Sequence, residues 1–408
     1  MKYLIQKFGG TSLSDDEKRR KVASIVIEAK NKGFSPVVVV SAIGRSGDPY
    51  ATDTLLSFAR EHKKEPTPRE ADLLMSCGEI ISGVIVSTTL QESGCPAVFL
   101  TGAQAGIITD GNYNNARILK VDPRHIIKHC REGKVVVVAG FQGISEAGEI
   151  TTLGRGGSDT TAAALGVALG AVSVDIYTDV DGIMTADPRI VSDARPLEIV
   201  TYNEICQLAR EGAKVIHPRA VEIAMQKGIP LRIKCTFSEA PGTLVTSQDE
   251  INKGAIDITR DRTITGITHI QDITRIKINT GEAANIPAFQ GRIFNALALA
   301  GISVDFINVH PEVIYFTVKN TDAEKAVKIL ENMEIKPEIL PDCAKVAAVG
   351  AGMTGVPGVM AKIVDALAEE NVQILQSADS YTTIWVLVKK EDMEKSIRAL
   401  HRRFDPCR

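Results

Sequence analysis

Residues 153–166 read LGRGGSDTTAAALG. Glycines bracket Arg155, a hydroxyl and a carboxylate follow at Ser158 and Asp159, and an alanine-rich run continues the chain. Ser and Asp both favour N-cap positions, so a helix is expected to begin here, and capping alone would account for Asp159. It would not account for Arg155. An arginine between glycines gains nothing for a fold, and it suits bidentate binding of a carboxylate or phosphate. The loop fits neither GxGxxG nor GxxxxGK[ST], which disfavours a dinucleotide. KFGGTS at 7–12 has the same design. A strand ends at Phe8, Gly9 and Gly10 let the backbone approach a ligand, and a helix starting near Ser14 offers free N–H groups. Lys7 sits at the strand's C-terminal end, where open α/β sheets bind ligands, and could cancel charge on a transferring phosphoryl group. On spacing alone, a tight strand–helix turn with a surface lysine reads equally well.

Other stretches are less specific. YTDVDGIMTADPR at 177–189 gathers Asp179, Asp181 and Asp187 in a turn-rich loop without the glutamate of an EF-hand. Asp-Gly and Asp-Pro steps are ordinary turn chemistry. The functional alternative is a nucleotide pocket, with acids near a ribose or metal and Arg189 near phosphate. GAKVIHPRA at 212–220 supplies Lys214, for which a solvated lysine is the default. SCGEIIS at 76–82 sets Glu79 among small and apolar residues, where it either faces water or meets a cation such as an ammonium group. Ser41, Thr52 and Asp53 follow the run VVVVS and could bind a small polar ligand.

The elements that must position these residues come next. Over roughly the first 246 residues, short β-branched runs alternate with helical stretches. Tyr3–Phe8, Val37–Ser41, Ala97–Thr101, Lys134–Phe141, Val172–Thr178 and Leu231–Cys235 are the clearest runs. Several are apolar throughout, which marks strands buried on both faces of a parallel or mixed sheet between helix layers. Ser14 with Glu17 forms a capping-box pattern for a helix reaching about Asn31, and Gly33 and Gly133 stand where helices end. Residues 247–262, polar and charged, read as a linker. Beyond them two α+β units repeat at a constant offset of 70 residues. Ile302–Ile307 aligns with Val372–Ser377; Ile314, Phe316 and Val318 align with Ile384, Val386 and Val388; Asp322, Glu324, Lys325 and Leu330 meet the same residue types at Asp392, Glu394, Lys395 and Leu400. Such a pair is either a duplicated structural module or a ligand-sensing pair with sites at its junction.

Composition narrows the class. The chain has 408 residues, enough for two or three domains; 44% are hydrophobic, 24% charged, and the formal net charge is -3. Without a basic block, nucleic acid is disfavoured as a partner. The N-terminus MKYLIQKFGG does not read as a signal peptide, and no run approaches the length of a membrane span. The seven cysteines lack CxxC spacing, which predicts reduced thiols in a cytoplasm and no zinc site.

Taken together and in order, KFGGTS, VVVSAIG, SCGE, LTGAQAG, VAGFQG, TLGRGGSDTTAAALG, YTDVDGIMTADPR and GAKVIHPRA resemble the aspartate kinases of the amino-acid-kinase fold family. The resemblance covers the whole chain, because that family ends in paired ACT domains. GRSGDPYATDTLL at 44–56 is similar to the aspartokinase I type of Bacillus-like bacteria, a diaminopimelate-sensitive form. The resemblance implies an α/β fold: a three-layer, carbamate-kinase-like catalytic domain with a mainly parallel sheet at 1–246, then two ferredoxin-like ACT domains at 263–341 and 342–408. The strand 265–270 is expected to join the second ACT sheet. The first ACT unit, INTGEAANIPAFQGRI, lacks the Pro-Gly turn that the second keeps in GAGMTGVPGVMAKI.

The resemblance also implies roles. Lys7 and Asp159 would support the transition state. Lys7, Phe8, Gly9, Gly10 and Ser158 would hold ATP phosphates, while Thr178, Asp179, Met184, Asp187, Arg189 and Lys214 line the nucleotide pocket. Ser41, Thr52, Glu79, Arg155, Gly156, Gly157 and Ser158 would bind aspartate, and Asn308 and Gln376 are candidate effector contacts. Mg²⁺ would be carried by the ATP phosphates, with no protein metal site. The implied activity is phosphorylation of the L-aspartate side-chain carboxylate, with feedback by lysine, threonine, methionine or diaminopimelate and a homodimer through the ACT domains. The alternatives are a glutamate or UMP kinase, or a non-catalytic amino-acid sensor. No chain remains after the repeat for a fused homoserine dehydrogenase.

Overall fold

The computed structural model describes residues 1–61, 65–213, 215–248, 263–280, 285–353 and 355–406. They divide into two compact units. The first comprises residues 1–184 and 196–210 and the described residues from 215 to 248; the second takes 185–195, 211–213 and the described residues from 263 onward. The expected linker 247–262 lies outside the described residues from 249 on.

The first unit runs β1 (Tyr3–Phe8), α1 (Asp16–Asn31), β2 (Ser35–Val40), α2 (Thr52–Arg60), α3 (Pro68–Glu92), β3 (Ala97–Leu100), β4 (Ile107–Thr109), β5 (Ile118–Val121), α4 (Arg124–Arg131), β6 (Val135–Ala139), β7 (Gln142–Ser145), β8 (Ile150–Thr152), α5 (Gly157–Leu169), β9 (Ser173–Thr178), β10 (Ile199–Thr201), α6 (Tyr202–Arg210), α7 (Pro218–Met225), β11 (Leu231–Cys235) and β12 (Thr243–Thr246). Eight strands form one sheet in the order β10-β12-β11-β9-β1-β2-β6-β3. Its pairs are parallel except β11 with β12. Val37–Val40 and Val135–Ala139 are fully buried, as continuous apolar runs in a doubly covered parallel sheet should be. A second, four-stranded sheet runs in the order β5-β4-β7-β8.

Two expectations are corrected here. Ser14 does not cap α1. The chain first makes a 3-10 turn over Gly10–Leu13 that takes Ser14 into its own αR end, so the extended N-cap conformation falls to Asp15. The Asp15 side chain accepts from Lys18 N at 2.9 Å. The statement that no run approaches span length also fails for α3, which by length and composition alone is long and apolar enough to cross a membrane. Its Ser, Gly and Thr residues hid that apolarity in the sequence. Its buried stripe includes Asp72, Ser76, Glu79 and Ser82 at helical spacing, the pattern of a core helix carrying polar groups inward.

The second unit holds β13 (Gly266–Asn279), α8 (Ile286–Leu299), β14 (Asp305–Val309), β15 (Val313–Lys319), α9 (Asn320–Asn332), β16 (Glu338–Val349), α10 (Val359–Glu369), β17 (Gln376–Asp379), β18 (Thr383–Lys389) and α11 (Met393–Phe404). The 70-residue repeat is visible as structure: β18 reproduces β15, and β16 reproduces β13. One six-stranded antiparallel sheet results, in the order β14-β15-β13-β16-β18-β17. The long strands β13 and β16 each serve two cores. Gly266–Ile270 pair with Lys345–Val349, and Ile267 packs with α10 and α11; Ile276 and Ile278 pair with β15 and pack with α8 and α9. Each long strand carries an aspartate at positive φ at the changeover, Asp272 at 61° and Asp342 at 50°, again 70 residues apart. In the first repeat, residues 281–284 of the turn lie outside the described residues, and Asn285 caps α8 by accepting from Ala288 N at 3.2 Å.

Candidate functional site

A cavity of about 860 Å³ opens at the C-terminal ends of β1 and β2 and the start of α5. Lys7, Ser41, Thr52, Glu79, Arg155, Gly156, Gly157, Ser158 and Asp159 all line it, so the expected catalytic and amino-acid-binding residues meet in one place. This is where ligands bind in open α/β sheets.

Lys7 lies on a central strand, opposite Val39 of β2 and Ile176 of β9. Its ammonium is 2.8 Å from Asp159 Oδ1, and the two side chains are only 13% and 12% exposed. Asp159 is therefore not the helix cap that the sequence allowed. Gly156 occupies the cap position in the left-handed conformation, φ 70°. A Cβ there would also fall 2.2 Å from the His217 Cβ, so only glycine fits. The helix starts one residue later, placing Ser158 and Asp159 in its first turn. Gly10 is required for a different reason, because its Cβ would lie 2.3 Å from the Ala42 carbonyl oxygen. That close approach holds the 3-10 turn against the loop after β2. Phe8 contributes only its backbone there, since its ring is buried and stacks on Tyr177 with centroids 4.6 Å apart.

Glu79 is 3% exposed. Its Oε1 accepts from Ala42 N at 3.0 Å, and its buried Oε2 has no hydrogen-bond partner among the described residues. Burial pushes the carboxyl up to about 8. No cation among the described residues pairs with it, so its charged form is disfavoured where it stands. The sign of the linkage follows. The folded carboxyl holds its proton more tightly than the unfolded one, so stability falls as pH rises from the ordinary 4.5 towards about 8. A bound ammonium group demands the ionised form, so its binding at neutral pH expels a proton. With Glu79 in the ammonium-binding role that the resemblance implies, the KM for aspartate is expected to fall as pH rises towards about 8 and then level off. Glu79→Gln should raise that KM, flatten its pH profile and leave thermal stability at pH 8 no lower; a retained slope would move the titration to another group.

Of the residues expected to meet ATP, Lys7 and Ser158 line this cavity, whereas none of the described residues expected in the nucleotide pocket does. Thr178 ends β9 and donates to Asp179 Oδ1 at 3.2 Å, while the Asp179 carboxylate pairs with Arg45 Nη2 at 2.5 Å. Met184 bridges Pro196. Asp187 and Arg189 belong to the second unit and chelate one another, 2.7 Å at the closest, which holds the Asp187 carboxyl below its usual range. Lys214 lies outside the described residues. In the second unit, the candidate effector residues touch: Gln376 Nε2 donates to Asn308 Oδ1 and to the Phe306 carbonyl oxygen. The sheet thus curls enough to bring its two edge strands, β14 and β17, within side-chain reach.

Sequence reasoning missed Asp72, Asn114, Phe141 and Arg219. Asp72 stands two helical turns before Glu79 on α3, a spacing that puts both acids on one face and could have drawn attention to it. Asn114 and Phe141 line the cavity, both at positive φ, 64° and 68°. Nothing in their local sequence marks them.

The comparisons with known proteins agree with this geometry. Residues 2–235 match the amino acid kinase family, and residues 281–333 and 338–402 each match an ACT domain. Over 407 residues, covering 99% of both chains, the sequence is 51% identical to aspartokinase 1 of Bacillus subtilis. This chain belongs to the aspartokinases. It is 39% identical to the aspartokinase of Mycolicibacterium smegmatis over 419 residues, 99% of this chain and 96% of the relative. Among solved structures, the aspartate kinase of Clostridium acetobutylicum superposes with a TM-score of 0.80 at 26% identity, covering 98% of this chain and all of that one. E. coli aspartokinase III in complex with aspartate and ADP gives 0.79 at 25% identity over 98% and 99% of the two chains. The same enzyme has also been solved with lysine and aspartate. The mainly parallel kinase sheet followed by ACT modules is thus the aspartokinase architecture.

Proposed function

We propose that this aspartokinase transfers the γ-phosphoryl group of ATP to the side-chain carboxylate of L-aspartate, giving 4-phospho-L-aspartate and ADP, under feedback control through its ACT domains. The observation that carries this reading is the pairing, in one cavity, of a buried, unsatisfied Glu79 oxygen with Arg155 and the Lys7–Asp159 ion pair. Glu79 would take the substrate ammonium and Arg155 its α-carboxylate, which directs the side-chain carboxylate towards Lys7. That carboxylate is already ionised at neutral pH, so no general base is needed. The task is to bring two anions together, and positioning with charge neutralisation accomplishes it. Lys7 would neutralise the transferring group, with Asp159 fixing its ammonium. The N–H groups at the start of α5 and at Gly9 and Gly10 would cradle phosphate oxygens.

Among the described residues no group of three or more His, Cys, Asp or Glu could hold a metal ion. We place the Mg²⁺ that accompanies ATP on the phosphates themselves. Thr178, Asp179, Met184, Asp187, Arg189 and Lys214 are assigned to the nucleotide by their motif. Asn308 and Gln376 are assigned to the feedback amino acid, with lysine, threonine and diaminopimelate as candidates. We further assign a homodimer through the ACT domains and a cytoplasmic location.

Arg155→Ala is expected to raise the KM for aspartate about a hundredfold, as loss of a charge-assisted bidentate contact does, while the KM for ATP stays within about threefold. An unchanged aspartate KM would take Arg155 out of the substrate site. ADP release assayed with L-aspartate, L-glutamate and UMP in turn tests the whole reading. Turnover with aspartate is expected; preference for glutamate or UMP would select a different acceptor, and silence with all three a sensor.

A further inference from the structure

Arg155 sits on a loop with little stiffness of its own, flanked by glycines at positive φ, 73° at Gly154 and 70° at Gly156. Its backbone is nevertheless gripped from two helices by side chains that do not line the cavity. From α3, the fully buried Asp72 carboxylate accepts from Thr152 N and Thr152 Oγ1, both at 2.7 Å, and from Asn114 N at 3.1 Å. From the first turn of α7, the Arg219 guanidinium donates to the Leu153 carbonyl at 3.2 Å and the Ala116 carbonyl at 2.8 Å. The two held segments are themselves joined, Ala116 N donating to Thr152 O at 2.9 Å. An anion thus takes amides and a cation takes carbonyls of the same two segments, 114–116 and 152–153, the second of which leads directly into the Arg155 loop. Next to Arg219, His217 packs under Gly156 and limits where the loop can go.

We infer that Asp72 and Arg219 form a clamp that sets the position of Arg155, and through it the affinity for the amino-acid substrate, without either residue touching a substrate. Both are positioning residues. The inference rests on the reading of Arg155 as the carboxylate-binding group. The clamp explains a buried carboxylate that transfer chemistry does not use, and an Asn114 backbone held in the left-handed region. It also explains why the loop can afford two flexible glycines: the rigidity comes from charged groups anchored in helices rather than from the loop's sequence.

The test uses the full-length enzyme and steady-state kinetics with aspartate and ATP. In Asp72→Asn one carbonyl oxygen replaces two acceptors, and the new NH₂ must face a donor. Misplacement of this kind costs up to about a hundredfold, so Asp72→Asn and Arg219→Gln are each expected to raise the aspartate KM about ten- to hundredfold, with the ATP KM and kcat within about threefold. The decisive arm is the Arg155→Ala background. There Asp72→Asn should change the aspartate KM by less than about twofold, because the residue it positions is gone. A role confined to stability would lower Tm and leave aspartate KM unchanged in both backgrounds, and that overturns the clamp. So do effects of Asp72→Asn and Arg155→Ala that multiply. If Asp72→Asn does not fold, Arg219→Gln, a half-buried side chain, carries the same comparison. An Arg155→Ala enzyme with normal aspartate KM defeats the underlying reading instead, and is thereby distinguished from failure of the clamp alone.

Discussion

Lys7→Ala is expected to lower kcat by about 10²- to 10³-fold, the usual effect of removing one preorganised group that stabilises transition-state charge, while aspartate KM changes by less than about tenfold. Lys7 is held on the central strand of the sheet and its ammonium is fixed by Asp159 at 2.8 Å. Its charge therefore stands in place before reaction and costs no reorganisation when negative charge shifts between acceptor and leaving oxygens. On the roles proposed for Glu79 and Arg155, ground-state aspartate keeps both of its anchors, so its binding should survive better than turnover. Asp159→Asn should give a smaller loss in kcat, because the lysine persists but is less firmly aimed. Near-normal turnover in Lys7→Ala would remove Lys7 from the chemistry.

The second large effect concerns the regulatory unit. Lys345 of β16, 5% exposed, lies 2.9 Å from Glu211 and 2.6 Å from Asp305 of β14. Burial alone would lower its pKa, but the two carboxylates outweigh it and the group is held above its ordinary value. A cation whose pKa is raised on folding contributes stability throughout the neutral range and loses it only above the usual lysine range. The partners are unequal. Asp305 is 66% exposed and contributes little after solvent screening, whereas Glu211 is 9% exposed and would be stranded. Lys345→Met is therefore expected to cost about 3–5 kcal/mol, the penalty for breaking a buried pair from one side. The chain has a single tryptophan, Trp385, whose ring lies 5.9 Å from the Lys345 ammonium. Its fluorescence in urea reports on this unit alone, and with an ordinary slope the midpoint should drop by about 1–3 M. Adding Glu211→Gln should restore much of the loss. An unchanged midpoint would mean that Glu211 finds water when the lysine is removed.

Much of the kinase fold was legible because burial on both faces of a parallel sheet leaves an unmistakable record. Val37–Val40 and Val135–Ala139 are apolar at every position, and they are the fully buried residues of β2 and β6. The ACT repeat was legible because duplication preserved spacing as well as pattern, down to paired aspartates at the bends of β13 and β16. The lining of the cavity was legible where a residue makes no sense as fold alone, as with Arg155 between glycines. Asp159 was ambiguous because a cap and an ion-pair partner share one residue type; only the left-handed Gly156 decides that another residue takes the cap. Asp72 and Arg219 were hidden for a related reason. They bind backbone N–H and carbonyl groups, which every sequence supplies, so no motif betrays their partners. The capping of α1 slipped by one residue because a 3-10 turn intervened, and propensity does not count such turns.

The central claim is the identity of the acceptor, and hydroxylamine trapping tests it most directly. Incubated with L-aspartate and Mg-ATP, the enzyme is predicted to yield aspartate 4-hydroxamate in step with ADP, with none formed when ATP is omitted and formation slowed about 10²- to 10³-fold in Lys7→Ala. ADP release without hydroxamate, or a hydroxamate of glutamate in preference to aspartate, would contradict it.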